Sequence, residues 1–353
     1  MVERDAGRRR ARPSERQRQA RRGGRAGHNP GGGRAARRAA LAGGALNLSG
    51  PVYGLLSAIW WGAGDFGGGL VSRFSSVFSA LIAGESIGLL GSVAVAVAVG
   101  EPLPSTTSFA WAFAAGTCGI AGLGAFYYAL SRGTMGVVAP LTAVIGAALP
   151  VVIGLIEGEH LEPVRGVGIV VALAAVVLIS MPGNASTTDE RRLRRIDLSQ
   201  LPLIMAGGVG FGLFFVFLSR AADAGSTWWP LVVVRMAGVA FIVGAVVVAL
   251  ARTKAPRLAT RADIVLGLPK VRARALPMPL LAGMFLLTGV GDLGGNAFFV
   301  LAARADVLSV AVVLSSLYPV VTTLLAAVFL HERLRPVQIV GVLLASISVP
   351  LLR

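Results

Sequence analysis

The sequence predicts an all-α polytopic membrane protein in which ten transmembrane helices form two inverted five-helix repeats. Three observations carry that prediction. The second half repeats the first: Glu159, Leu161, Pro163, Val164, Gly168 and Ala172 recur 173 positions later as Glu332, Leu334, Pro336, Val337, Gly341 and Ala345. Ala125, Phe126 and Arg132 recur as Ala297, Phe298 and Arg304. Each copy consists mostly of apolar runs long enough to cross a bilayer. The composition agrees, since 55% of the 353 residues are hydrophobic and the mean hydropathy is +0.74, an excess that must face lipid.

Taken in order, the apolar runs place spans near 52–71, 77–99, 109–131, 135–156 and 164–181, then near 202–219, 228–250, 278–303, 307–330 and 336–352. The organisation is a disordered basic tail over 1–50, a first five-helix repeat over 51–181, a polar linker over 182–200 and a second repeat over 201–353. An odd number of spans per repeat sends the second copy into the membrane from the opposite side, so the repeats are inverted. Pairs of glycines four apart (Gly64 and Gly68, Gly84 and Gly88, Gly154 and Gly158, Gly208 and Gly212, Gly291 and Gly295) let helix backbones approach closely. Pro319 in span 9 frees a carbonyl one turn back and kinks the helix; in span 4 Gly146 falls at that place, and Pro140 or Pro150 would make the bend.

The net charge of +16 lies in two segments. Residues 1–49 hold thirteen arginines against Glu3, Asp5 and Glu15, and residues 252–274 hold five arginines and two lysines against Asp263. The membrane part is therefore near neutral, which excludes a nucleic-acid binder by composition and makes the lipid bilayer the partner of the fold. The tail reads as a disordered extension, a contact for anionic lipid, or sequence upstream of the true start; Arg37 and Arg38 make only a poor twin-arginine signal, interrupted by Asn47, Ser49 and Pro51. Basic residues in the linkers after odd-numbered spans place the 191–195 cluster and the 252–274 loop in the cytoplasm and both termini outside, while the tail argues for termini inside. With the loops deciding, a cysteine placed at Lys254 is expected to escape a membrane-impermeant reagent in intact cells. Labelling there would reverse the topology.

Enzymatic signals are lacking. The chain has no Walker P-loop, no Gly-x-Gly-x-x-Gly after a strand and no paired metal ligands, and its three histidines (His28, His160, His331) lie outside the span centres. The reading calls for no cofactor and no metal. Cys118, the one cysteine, sits in an apolar run as packing.

Gly158-Glu159-His160-Leu161-Glu162-Pro163 and His331-Glu332-Arg333-Leu334-Arg335-Pro336 close spans 4 and 9, and the second follows Val310-Ala311-Val312-Val313-Leu314-Ser315-Ser316-Leu317-Tyr318-Pro319. The chain in this respect resembles the drug/metabolite transporter superfamily, EamA type, over about residues 52–352. The resemblance implies ten helices, a cavity contributed largely by helices 3, 4, 8 and 9, and export or exchange of small metabolites.

A charge at bilayer depth costs about 2.5 to 3.5 kcal/mol on insertion scales, so each needs a partner or a purpose. Glu85 in span 2 and Arg235 in span 7 occupy counterpart spans with opposite signs, which reads as a buried pair or a coupling site. Asp65 lies one turn beyond Trp61, and Asp292 one turn before Asn296. Each pair is a candidate grip on a polar or cationic solute; the structural alternatives are that Asp65 caps a broken glycine-rich helix and that Asn296 hydrogen-bonds Asp292. Ser315, Tyr318 and Thr322 form a polar stripe where Pro319 bends span 9, read either as a cavity lining or as hydroxyls that bond across packed helices, and Tyr127 and Tyr128 are offered by span 3. The candidate substrate-binding set is Trp61, Asp65, Tyr128, Asp292, Asn296, Ser315 and Tyr318. Glu159 and Glu332, at helix ends, are membrane-edge or gate residues. The expected function is secondary transport of a small polar or cationic metabolite or drug, as efflux by proton or solute exchange across a bacterial cytoplasmic membrane. The other reading is a structural or lipid-handling membrane protein without flux.

Overall fold

A computed structural model describes residues 49–74, 77–132, 135–181, 200–222, 226–252 and 277–353. The basic tail, nearly all of the polar linker with its arginines, and the basic loop beyond Arg252 fall outside these residues. So do the side chains of Arg73, Tyr127 and Arg132.

The described residues form helices and no strand. In chain order these are α1 (Gly50–Phe74), α2 (Val77–Val99), α3 (Thr106–Arg132), α4 (Met135–Ile156), α5 (Pro163–Ser180), α6 (Leu201–Ala222), α7 (Trp228–Arg252), α8 (Met278–Ala305), α9 (Leu308–Ser315), α10 (Tyr318–Phe329) and α11 (Pro336–Leu351). Ten spans result, because α9 and α10 together make the ninth. Among the described residues, seven spans are long and apolar enough to cross a membrane on composition alone, and shorter apolar stretches lie at 228–244 and 336–351. α1 falls below that composition because Asp65 and its glycines dilute the apolar run.

Local chemistry sets the boundaries. Proline stands in the first turn of α5, α8, α10 and α11, where its missing N–H costs nothing. Pro319 cannot donate to the Ser315 carbonyl, so the ninth span breaks there. The break is tight: Ser316 and Leu317 keep near-helical dihedrals, and Leu317 N–H donates to the Leu314 carbonyl at 3.2 Å. In the first repeat α4 runs unbroken through both Pro140 and Pro150. The repeats agree again at the turns that follow: Gly158 and His331, 173 positions apart, both take positive φ, +95° and +55°. Glycine adopts this freely, whereas His331 holds it as the left-handed exception.

Packing follows the duplication. α1 packs most extensively on α8 and α3 on α6; α4 lies on α6 as α9 and α10 lie on α1; α3 meets α7 as α8 meets α2. The α2–α7 and α5–α11 contacts map onto themselves under exchange of repeats. The strongest contacts thus run between repeats, and neither repeat buries its faces alone. Glycine makes the crossings possible. A Cβ on Gly291 would stand 2.5 Å from the Gly64 Cα, and one on Gly210 would stand 2.6 Å from the Gly122 Cα, so α1–α8 and α3–α6 meet backbone to backbone. Gly291→Ala should therefore force the helices apart and lower stability by about 1–3 kcal/mol. Gly124→Ala, with nothing within 4 Å of the added carbon, should be silent. Equal melting temperatures for the two variants would contradict the close approach.

Candidate functional site

Four charged side chains converge where α2, α7, α8 and α1 meet. Glu85 and Arg235 face one another across α2 and α7, and each lies over a glycine of the opposite helix. A Cβ on Gly88 would sit 3.0 Å from Arg235 Nε, and one on Gly238 would sit 3.1 Å from Glu85 Oε2. The motif is reciprocal, Glu85-x-x-Gly88 against Arg235-x-x-Gly238, one turn apart on each helix. The two notches admit charged groups between closely packed backbones.

Arg235 Nη1 lies 3.1 Å from Glu85 Oε1 and 2.5 Å from Asp292 Oδ2. The pair expected from the repeat is thus a triad, with the guanidinium between two carboxylates. Asp292 occupies the middle of α8 and its position on α1's neighbour is fixed by the Gly64–Gly291 crossing. Asn296, one turn on and buried, donates from Nδ2 to the Asp292 carbonyl at 2.8 Å and to Asp292 Oδ1 at 3.0 Å. Enclosure is graded across the cluster: the side chain of Arg235 is 5% exposed, that of Glu85 17% and that of Asp292 36%. Three buried polar atoms, Glu85 Oε2, Arg235 Nη2 and Asn296 Oδ1, have no hydrogen-bond partner among the described residues.

Asp65 on α1 lies within electrostatic reach of Asp292 and is exposed. It shares a helix face with Trp61, whose ring packs against Phe215 of α6 (5.6 Å), Phe299 of α8 (6.0 Å) and Tyr318 of α10 (6.3 Å). That face therefore looks into the bundle, and Asp65 stands one turn from an aromatic cluster. Trp61 also covers Gly295, where a Cβ would clash with its indole.

The other expected residues lie elsewhere. Ser315 is fully buried and its hydroxyl donates to the Gly54 carbonyl at 3.5 Å, while Thr322 donates to the Gly62 carbonyl at 3.1 Å. The polar stripe read along span 9 is thus broken between Ser315 and Tyr318, and its hydroxyls tie that span to α1. Tyr128 is 46% exposed near the end of α3, on a helix that packs against α6 and α7.

The aromatic cluster separates Asp65 from the membrane face at which α1 begins, and that face is heavily tied. Glu159 caps α9, accepting from Leu308 N–H at 2.7 Å and from the Ser309 hydroxyl at 2.5 Å; Gly154 leaves room for its carboxylate. Glu101 caps α7 in the same way, accepting from the N–H groups of Thr227, Trp228 and Trp229 at 2.6, 2.8 and 3.0 Å. Arg165 pairs with Asp306 at 3.0 Å, Arg220 pairs with Glu157, and Arg304 Nε donates to the Ala222 carbonyl at 2.8 Å. Sequence placed Glu159 at a helix end but not its partner, and missed Glu101, Phe215, Phe299 and the role of Asp292 beside Arg235. The reciprocal Glu-x-x-Gly and Arg-x-x-Gly spacing was the one available signal for the notches.

Comparison with known proteins bears on both repeats. The family described as "EamA-like transporter family" matches residues 48–181 and again 198–353. No curated protein matches the chain. Among solved structures, one described only as "Crystal structure of protein" superposes with a TM-score of 0.59 at 15% identity, over 86% of this chain and 95% of that one, a likeness of fold alone.

Proposed function

Since the chain belongs to the EamA-like transporter family, a family of transporters and not of enzymes, we propose that this multi-pass membrane protein exports a small organic cation in exchange for protons across a bacterial cytoplasmic membrane. The observation that carries the substrate class is the gradation of exposure. Arg235 is enclosed, whereas Asp292 and Asp65 are the accessible members of the cluster, so an entering solute meets carboxylates first. Anions would be repelled and cations drawn in. The mid-helix position of Asp292 suits a site near the membrane midplane between inverted repeats. The aromatic cluster around Trp61 and Tyr318 gives the same solute an apolar wall with cation-attracting ring faces. Exchange supplies the energy, because the chain has no nucleotide motif and a carboxylate that releases a cation can take up a proton.

The test is flux in proteoliposomes. Amines, guanidines and quaternary ammonium compounds are screened beside amino acids and nucleosides, with and without a pH gradient. Saturable cation flux that accelerates when the opposite compartment is acidic is the expected result. Preference for anionic or neutral solutes would sink the cation assignment, and no saturable flux of any solute would favour a structural or lipid-handling role.

A further inference from the structure

Resting on the cation reading above, we propose that Arg235 is a built-in competitor for the cation site: it occupies Asp292 when no solute is bound and moves to a two-bond grip on Glu85 when a cation takes its place. The half-made geometry points to this. A guanidinium and a carboxylate reach their strongest pairing as a fork of two parallel N–H···O bonds. Here Nη1 is shared between Glu85 Oε1 and Asp292 Oδ2, while the two atoms needed for the second prong, Arg235 Nη2 and Glu85 Oε2, are both buried and unpartnered. A side chain that lets go of Asp292 has a complete seat waiting on Glu85.

The surroundings fit such a shift. Gly88 and Gly238 remove the methyl groups that would otherwise crowd the guanidinium and the carboxylate. The Glu85 side is enclosed and the Asp292 side is open, so a solute reaches the arginine's Asp292 seat and not its alternative one. Asn296, 3% exposed, keeps an unpartnered Oδ1 on the same amide whose Nδ2 orients Asp292. That oxygen and the Asp292 carboxylate offer two acceptors to one incoming N–H cation, and exposed Asp65 offers a third. Three carboxylates against one guanidinium leave carboxylates in excess, so an added cation and the arginine each keep a carboxylate partner.

Methylguanidinium copies the group it would displace and is the probe. Its equilibrium binding is measured by calorimetry on the purified full chain in nanodiscs, with folding checked by size exclusion. Asp292→Asn should abolish binding. Glu85→Gln, which removes the alternative seat but leaves Arg235 paired with Asp292, should weaken binding at least tenfold. Glu85→Gln combined with Arg235→Gln, which removes the competitor, should tighten it at least tenfold. Opposite signs for the single and the double variant are the signature, because an arginine that keeps its place predicts weaker binding in the first and, with the net charge restored, little change in the second. Unchanged or tighter binding in Glu85→Gln, or unchanged or weaker binding in the double variant, overturns the competitor while leaving the cation site standing. If the double variant does not fold, Glu85→Gln decides alone. Binding to none of these proteins, the wild type included, removes the cation reading itself and the competitor with it.

Discussion

Arg235→Gln alone is expected to remove most of the folded protein from the membrane, and Glu85→Gln added to it is expected to restore much of the loss. The guanidinium is enclosed and faces two carboxylates. Deleting it leaves Glu85 and Asp292 as neighbouring negative charges in a low-dielectric interior, where breaking a buried pair costs about 3–5 kcal/mol. That is a large share of the stability a domain ordinarily holds. The triad makes the two single variants unequal. Glu85→Gln leaves Arg235 with Asp292 and should be the milder change. In the double variant Asp292 is the one member of the triad that remains charged, and its partial exposure makes it tolerable. Membrane yield and monodispersity after detergent extraction report the result. A double variant no better than Arg235→Gln would show that the charges do not depend on one another.

The fold was legible because duplication and hydropathy are written along the chain. Ten apolar runs, the 172–173-residue offset and the motifs at Glu159 and Glu332 lead directly to inverted five-helix repeats, and the paired left-handed turns at Gly158 and His331 continue that register into backbone geometry. Pro319 announced its break because proline acts on its own helix. What depended on a different helix was harder to read. Glu85 and Arg235 were found together because symmetry links spans 2 and 7, but Asp292 has no acidic counterpart in the first repeat: the position 172 earlier is Ile120. Its place beside Arg235 arises from the Gly64–Gly291 crossing, which no periodicity along α8 reveals. The caps by Glu101 and Glu159 were hidden for a related reason, since each carboxylate comes from a turn in the first repeat and serves a helix start in the second. The hydroxyls of Ser315 and Thr322 are ambiguous along the chain. Side chains spaced as a cavity lining can equally bond a neighbouring backbone, and the close approach of α1 at Gly54 and Gly62 decides for bonding.

Asp292→Asn is expected to reduce cation flux at least about thirtyfold, the effect of losing roughly 2 kcal/mol or more when one partner of a buried charge interaction is neutralised. It should also abolish the response to a pH gradient. Asp292 is the carboxylate that Arg235 and Asn296 both contact, and in the proposed exchange an entering solute would meet it too, so its neutral amide would remove the charge on which that exchange turns. Folding should survive, because Arg235 keeps Glu85. Asp65→Asn makes a useful contrast. Asp65 is exposed and has no ion-pair partner among the described residues, so its loss should raise the half-saturating solute concentration several-fold while leaving the pH response in place. The two variants thus separate a residue that attracts the cation from one that exchanges it. Reconstituted at equal protein density and assayed with the best solute from the screen, they give a direct reading. Wild-type flux in both would return these carboxylates to packing roles, and an unaltered pH response in Asp292→Asn would move proton exchange away from the triad.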